Sequence, residues 1–501
     1  MIGTFWSVVP PLIAVTLALI TKEVYSSLFI GIFIGAMFYT NFSPLASLGV
    51  LMNKGIIAGI ADKQVAGIFV FLVLLGVIVA ILNETGASSA FGRFASKRCK
   101  TKQSAILSSF AMGALLFVDD YFNCLTVGAV MRPVVDEQRV ARAKLAYIID
   151  ATAAPICMIA PISSWAAAVS TTARGLNNGV SGIQLFCQAI PYNFYSIFTI
   201  FFIIFITKLN FDYGPMKLAQ ERASAGNDTD ALPHTPQVVA NPRAGMFDLI
   251  IPIAILVVLC IWGMLYVGGF WRGMSLVDAF AGTESSVALP MGAIIALIFT
   301  ILFATSRRTL TFNECMGCVV KGFIAMVPAI LILTLAIALK NISNLLLISH
   351  FVSAKMSEVS GAVYVLLPAV IFVVGCILAF ATGTSWGTFG ILIPIIVAMF
   401  PPESKLFIIG ISACLAGAVC GDHCSPISDT TIMASAGSQC YHIAHVKTQL
   451  PYAITVAAIC FVTYVIAGYT ESLAISWAFG ITATFFTLLA IKQYCKIKDR
   501  A

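Results

Sequence analysis

The sequence predicts an all-helical protein that crosses a membrane several times, and three observations support this prediction. Of the 501 residues, 59% are hydrophobic and only 10% are charged, and the mean hydropathy is +0.97. A soluble domain carries about 25% charged residues. Apolar runs of about 20 residues, the length that a helix needs to cross a bilayer, recur along the chain. Polar and helix-breaking residues interrupt a few of these runs, as in proteins whose broken helices line a buried site.

The apolar runs predict about 11 membrane spans. The uninterrupted spans are expected at 4–20, 24–40, 64–83, 185–206, 247–269, 287–305, 322–340, 450–469 and 472–492. Two further spans are expected to be broken: 145–171 around Asp150–Pro161, and 405–437 around Gly421–Pro426. Lys22 follows the first run and no charge precedes it, which is the reverse of a signal peptide. The first run is therefore expected to be a retained span.

Two other runs are predicted to be re-entrant helical hairpins, which enter and leave the membrane on the same side. The first is 104–133, turning at 119–123, and the second is 360–400, turning at 382–387. Basic residues lie on both flanks of the first run, and basic loops usually face the cytoplasm. Each arm of about 14 residues is also short for a crossing. We therefore expect the chain to turn back within this segment.

The distribution of charge predicts the orientation and the domain boundaries. With the N-terminus outside, most of the 29 Lys and Arg residues fall on the inner side, which also places the C-terminus inside. These residues are scattered over short loops, so the net charge of +7 does not indicate nucleic-acid binding. The polar stretch 208–245 is predicted to be a flexible cytoplasmic linker. It would separate membrane repeat 1, residues 1–207, from repeat 2, residues 246–470, with an extra C-terminal helix and tail at 471–501.

The order of features is similar in the two halves. The run 71–83 resembles 329–341, and each is followed by a hairpin, a broken span and one more span. An odd number of crossings in each half would invert the second relative to the first. Inverted repeats with broken helices at the membrane midplane are a recurring plan of secondary transporters.

Polar residues at the two hairpin tips and the two breaks predict a cation site. Carboxylate, hydroxyl and amide oxygens suit a hard cation, and Na+ is the expected occupant. The candidate cation-binding residues are Asp119, Asp120, Asn123, Asp150, Thr384, Ser385, Asp422, Ser425, Ser428, Asp429 and Thr430. The candidate proton carriers are Asp120, Asp150 and Asp422, because an apolar setting lets a carboxylate hold a proton as well as a cation. No other metal and no cofactor is expected.

Structural interpretations of single residues stay open. A Ser or Thr in a membrane helix usually bonds to its own or a neighbouring helix, and Asp150 could cap a helix. Trp165 and Trp386 each follow a break, where they either line a substrate cavity or pack. His442 and His445 are interpreted as surface loop residues.

Three runs resemble the signatures of the NhaC family of Na+/H+ antiporters, which is placed in the ion transporter superfamily. They are 117–133, 381–390 and 421–431, and the resemblance covers nearly the whole chain. It implies a fold with two hairpins and two broken helices. It also implies a bacterial inner-membrane carrier with Na+ on one side of the exchange.

The leading hypothesis is Na+/H+ antiport by alternating access. The alternative is a Na+-coupled carrier or exchanger of a small organic solute, of the malate/lactate type or an amino acid. A channel is disfavoured because an internal two-fold repeat is typical of a carrier. An enzyme is disfavoured because the chain contains no HExxH and its acidic groups within apolar runs are accompanied by neighbours typical of a cation site. A homodimer is left open.

Overall fold

The computed structural model describes residues 1–21, 24–87, 90, 99–117, 120–160, 163, 165, 169, 182–233, 241, 243–281, 283–348, 350–351, 354, 364–401 and 403–498. The regular elements of this part of the chain are helices, which confirms the all-helical fold class. Seven of the described helices are long and apolar enough to cross a membrane, or up to nine if each of two bent pairs is one span. The protein is therefore a multi-pass membrane protein.

The first half contains two N-terminal helices, a bent segment, a long helix, a hairpin and a broken helix. Its helices are α1 (Val9–Thr21), α2 (Val24–Tyr39), α3 (Pro44–Val50), α4 (Ala58–Ile60), α5 (Lys63–Glu84), α6 (Lys102–Leu115), α7 (Asp120–Glu137), α8 (Arg142–Thr152), α9 (Ala154–Cys157), α10 (Gly182–Ala189) and α11 (Phe194–Leu209). A π-helical turn, Leu51–Ile57, joins α3 to α4. The segment that contains α2 and the one that contains α3 and α4 are bent by 114° relative to each other.

The second half has a similar order of elements. After α12 (Pro215–Ser224) come α13 (Phe247–Val267), α14 (Leu276–Ala281), α15 (Ser285–Ser306), α16 (Phe312–Leu345), α17 (Leu367–Thr382), α18 (Ser385–Met399), α19 (Lys405–Cys424), α20 (Asp429–Ser438), α21 (His442–Thr470) and α22 (Leu473–Lys498). Helices α17 and α18 form the second hairpin, and α19 and α20 are the two parts of a broken helix.

The second hairpin turns at Gly383 and Thr384, within the predicted tip. Gly383 has φ +65°, a left-handed conformation in which a side chain would also meet the backbone oxygen of Ile427 at 2.5 Å. The hydroxyl of Thr384 then accepts a hydrogen bond from the backbone N–H of Gly387 at 3.2 Å and caps α18. Glycine therefore ends one helix and threonine begins the next.

Both predicted breaks are present. Between α19 and α20 the chain is extended at Ser425, and Pro426 has no N–H to continue the helix. The hydroxyl of Ser428 accepts a hydrogen bond from the N–H of Thr431 at 3.3 Å and starts α20. In the first half the helix breaks at Ala153, between α8 and α9.

Glycine residues let the discontinuous elements pack backbone to backbone. A Cβ atom at Gly128 of α7 would overlap the backbone of Gly437 in α20. A Cβ atom at Gly421 of α19 would overlap the backbone oxygen of Cys376 in α17. Small residues permit this close approach of helices in a membrane bundle. The hairpins and broken helices therefore form one tightly packed core.

The described part of the predicted flexible linker is structured and docked. It contains α12, and its residue Asp212 accepts hydrogen bonds from Lys144 Nζ and Tyr452 Oη at 2.8 and 2.7 Å. Farther along, Tyr441 N donates to Asp230 O at 2.8 Å. The prediction of flexibility is therefore wrong for residues 208–233. It failed because proline and mixed charge are also compatible with a short helix held by a buried ion pair.

Candidate functional site

The carboxylate of Asp150 lies near the end of α8 and is buried. Its Oδ2 atom accepts hydrogen bonds from Thr431 Oγ1 and Gln449 Nε2, each at 3.0 Å. The Nε2 atoms of His445 and His423 lie 3.7 and 4.0 Å from the same oxygen. A single carboxylate oxygen of the first half is thus surrounded by polar groups from α19, α20 and α21 of the second half.

Asp422, near the end of α19, has different surroundings. It is buried, and its Oδ2 atom accepts a hydrogen bond from Thr430 Oγ1 at 3.1 Å. The hydroxyl of Thr430 also lies 3.0 Å from that of Ser428. Among the residues that the structure describes, no group forms a hydrogen bond with Oδ1 of Asp422. A buried, ionised carboxylate without a full set of partners is costly, so this position favours a bound proton or cation.

Asp120 and Asn123 lie at the start of α7, as predicted for the first hairpin tip. Oδ2 of buried Asp120 accepts a hydrogen bond from Nε1 of Trp165 at 2.9 Å. Nδ2 of Asn123 donates to the backbone oxygen of Thr152 at 3.2 Å and so joins the hairpin to the end of α8. Asp119 lies outside the described residues.

The neutral oxygens of the second half have partly structural roles. Ser425 Oγ donates to the backbone oxygen of Phe380 at 2.8 Å, and Ser385 Oγ donates to that of Ala418 at 3.3 Å. Ser385 and Ser428 also interact with the Asp422 carboxylate. These hydroxyls therefore both tie helices together and border the carboxylate. Asp429 lies half-buried in the first turn of α20.

The interpretation of His442 and His445 as surface loop residues is wrong. His445 is fully buried and faces Asp150, and His442 is half-buried in the first turn of α21. The sequence interpretation also missed Thr431 and Gln449, which contact Asp150 only through the tertiary fold. One local signal exists: His442, His445 and Gln449 are spaced i, i+3, i+7 and so share one helix face.

Apolar helices that enclose broken helices and buried carboxylates define a class, the secondary membrane transporters. A family model described as the Na+/H+ antiporter family matches residues 156–469. The chain belongs to the Na+/H+ antiporter family, which confirms the resemblance noted in the sequence.

Two relatives differ in how much of the chain they cover. An uncharacterised protein of Haemophilus influenzae is 36% identical over 506 residues, covering 98% of this chain and 96% of the relative. A malate-2H(+)/Na(+)-lactate antiporter of Bacillus subtilis is 34% identical over 93 residues, covering 19% of this chain and 20% of the relative.

Two solved structures show weak overall similarity. Neisseria gonorrhoeae MtrF, described with a class of antimetabolite efflux pumps, has a TM-score of 0.37 and 12% identity, with 84% of each chain covered. The Alcanivorax borkumensis YdaH transporter has a TM-score of 0.35 and 17% identity, with 85% of this chain and 90% of that chain covered. At these TM-scores neither similarity bears on the site.

Proposed function

We propose that this transporter exchanges Na+ for H+ by alternating access, with Asp422 as the principal sodium ligand and Asp150 as the principal proton carrier. The observation on which the proposal mainly depends is the buried Oδ1 atom of Asp422, which has no hydrogen-bond partner among the described residues. Family membership supports the same exchange.

Oxygen groups near Asp422 support its role as a sodium ligand. Thr430 and Ser428 bring hydroxyls to one side, and Ser385 brings another from the hairpin α17–α18. Carboxylate and hydroxyl oxygens are ligands that a hard cation prefers. Asp429 begins the same helix as Thr430 and adds a second carboxylate nearby.

The surroundings of Asp150 suit a proton better than a metal ion. Thr431 and Gln449 already donate hydrogen bonds to Oδ2, and two imidazoles face the same atom. Groups that present N–H and O–H hydrogens to a carboxylate oxygen occupy the directions that a cation would need. An imidazole can also accept a proton from the carboxylic acid that it faces and pass it on through its other ring nitrogen.

Electrostatic interaction supplies the coupling between the two carboxylates. Asp150 and Asp422 interact with each other across the core. A sodium ion at Asp422 adds positive charge beside Asp150 and disfavours a proton there, and the reverse also holds. Alternate occupancy by Na+ and H+ is the minimal requirement for exchange.

The predicted organisation fits this mechanism and is retained as part of the proposal. The order long helix, hairpin, broken helix and further helix is found in both 1–207 and 246–470. We assign these as inverted repeats, with the N-terminus outside and the C-terminus inside a bacterial inner membrane. Each repeat then supplies one of the two carboxylates.

The test uses purified protein in liposomes that contain Na+ and a pH-sensitive dye, diluted into Na+-free buffer without organic solute. Because sodium leaves in exchange for protons, we expect the interior to acidify. Replacing Na+ by choline should abolish the signal. A lack of any sodium-dependent pH change with folded, monodisperse protein would contradict Na+/H+ antiport.

A matched pair of variants links the activity to the site. Asp422→Asn removes the charge with little change of shape and should abolish the sodium-dependent signal. Asp278→Asn, at an exposed carboxylate in α14, should leave it unchanged. Sodium should also raise the thermal stability of the native protein but not that of Asp422→Asn, because a ligand stabilises only the state that binds it.

The second candidate is sodium-coupled transport of a small organic solute. Nε1 of Trp386 is buried and has no hydrogen-bond partner among the described residues, so it is available to a solute acceptor group. Trp386 packs against Trp165 with ring centroids 6.2 Å apart, beside the first hairpin tip. Labelled malate, lactate and amino acids in the same liposomes test this candidate. Sodium-driven uptake of one of them, without the dye signal, would favour it.

A further inference from the structure

A second polar cluster, outside the proposed sodium ligands, connects Asp150 to the start of α21. It consists of His445, Ser435 and His442. Nδ1 of His445 lies 2.9 Å from Ser435 Oγ, and Nδ1 of His442 lies 3.0 Å from the same oxygen. Nε2 of His442 lies 2.6 Å from the backbone oxygen of Pro426. Each of these separations is within hydrogen-bond range.

The hydrogens of this cluster can be assigned from its acceptors. The backbone oxygen of Pro426 can only accept, so Nε2 of His442 carries the hydrogen and Nδ1 of neutral His442 is an acceptor. Ser435 has a single hydroxyl hydrogen, which it donates either to that Nδ1 or to the backbone oxygen of Thr431 at 2.8 Å. Ser435 Oγ must then accept from Nδ1–H of His445. Neutral His445 consequently has a bare Nε2, and this atom faces Asp150 Oδ2 at 3.7 Å.

Nε2 of buried His445 lacks a hydrogen, and among the described residues it has no hydrogen-bond partner either. A lone pair opposite an ionised carboxylate is unfavourable, whereas a proton on either atom draws the two together from 3.7 Å toward hydrogen-bond distance. The pair is therefore arranged to hold or pass a proton.

We propose that His445, Ser435 and His442 form a proton pathway that connects Asp150 with the linker side of the protein. This inference rests on the proposed function. In the step from Asp150 toward the linker side, protonated Asp150 gives its proton to Nε2 of His445, and Nδ1–H of His445 passes to Ser435. The hydroxyl hydrogen of Ser435 passes to His442 Nδ1, and half-buried His442 releases its Nε2 proton to solvent on the linker side. Each intermediate group gains one proton and loses one, so the step balances.

The end of the pathway lies where the linker covers the bundle. His442 is half-buried, and its neighbour Tyr441 is exposed and donates its backbone N–H to Asp230 O at 2.8 Å. Ser435 Oγ also lies 2.8 Å from the backbone oxygen of Thr431, so its hydrogen can rotate between two acceptors. Such a rotation reorients the hydroxyl, while the two imidazoles regain their starting tautomers by ring flips or by a proton passing in the opposite direction.

A second route from Asp150 is closed by its surroundings. His423 also faces the carboxylate, but its Nδ1 atom lies 2.8 Å from the hydroxyl of Tyr195, which is fully buried. The ring of His423 stacks on Tyr147, with centroids 6.0 Å apart. The other charged groups that interact with Asp150 are carboxylates, Asp422 and Asp429. The histidine pair on α21 is therefore the route toward the surface.

The experiment compares two reactions of the same liposomes. Na+/H+ exchange is followed with the pH dye, and Na+/Na+ exchange is followed with isotopic sodium at equal concentrations on both sides. For His445→Gln we expect Na+/H+ exchange to fall about a hundredfold, in the range for loss of a proton-transfer group, and Na+/Na+ exchange to fall far less. Ser435→Ala should act in the same direction, and Ser435→Thr, which keeps the hydroxyl, should restore the rate. His350→Gln, at an exposed histidine, is the matched control and should match the native protein.

Two results would overturn the pathway. One is native Na+/H+ exchange in His445→Gln, and the other is an equal loss of both reactions, which would indicate only a structural role. A larger rate decrease in heavy water for the native protein than for Ser435→Ala would support proton transfer through the hydroxyl. Failure of the proposed function can be distinguished from failure of the pathway, because in that case the native protein itself would show no sodium-dependent proton movement.

Discussion

Tyr121 of α7 donates its phenolic hydroxyl to Oδ2 of Asp429 in the first turn of α20. The bond joins two residues 308 positions apart, one from each half of the chain. A hydrogen bond to a charged group contributes about 1.5–3 kcal/mol. Because Asp429 directly precedes Thr430, which contacts Asp422, this bond positions the start of α20 against the proposed sodium ligands.

We expect Tyr121→Phe to weaken sodium binding. Each step of about 1.4 kcal/mol corresponds to a tenfold change in an equilibrium constant, so losing a contribution near the lower end of the range for such a bond should raise the apparent KM for Na+ about tenfold. Initial rates of dye response over a series of sodium concentrations measure this change. Tyr469→Phe, at a tyrosine that is 65% exposed, is the control. An unchanged KM in Tyr121→Phe would show that the bond does not position the site.

Asp150→Asn should separate the two transported ions. Asparagine keeps the shape of the side chain but cannot carry a proton, so we expect loss of sodium-driven proton movement. Isotopic Na+/Na+ exchange should continue, because Asp422 and its hydroxyl neighbours are intact. The same liposomes serve for both assays. Abolition of Na+/Na+ exchange in this variant would instead make Asp150 a sodium ligand.

Gly437→Ala tests the close packing of α7 and α20. The added methyl group would overlap the backbone oxygen of Cys124, which cannot move aside easily. Overpacking of this kind costs about 1–3 kcal/mol, so thermal unfolding in detergent should begin at a lower temperature. Gly317→Ala, also in a helix but with open space at the Cβ position, is the control. Equal stability of the two variants would contradict the close approach.

The ion pair between Lys144 and Asp212 should stabilise the docked linker. Both side chains are 8% exposed, and removing one partner of a buried pair costs about 3–5 kcal/mol. We expect Lys144→Met and Asp212→Asn each to lower thermal stability strongly. The double variant should be less destabilised than the sum of the two, because no unpaired charge is left. Strict additivity would mean that the pair is not coupled.

The breaks and the second hairpin tip were predictable because their causes are local. Pro426 lacks an N–H, Gly383 permits a left-handed turn, and Ser428 and Thr384 cap the helices that follow. Such residues stand out within apolar runs, so their positions could be found without knowledge of the fold. Asp422 was identified for the same reason, as a carboxylate beside helix breakers.

The partners of Asp150 could not be predicted in the same way. Thr431 and Gln449 lie 281 and 299 positions away, and only the packing of α8 against α20 and α21 brings them together. His445 lies shortly after the polar end of α20 and two residues before Lys447. This local context resembles a surface loop. Its burial depends on how deeply the start of α21 enters the bundle.

The contact between Gly128 and Gly437 also limits how the protein can move. Two helix backbones in direct contact have no flexible side chains between them to absorb sliding. Any motion that opens the site to one side of the membrane must then carry α7 and α20 together as a rigid body. The hinges of such a motion would lie elsewhere, which makes this helix pair a natural fixed frame for comparing conformations.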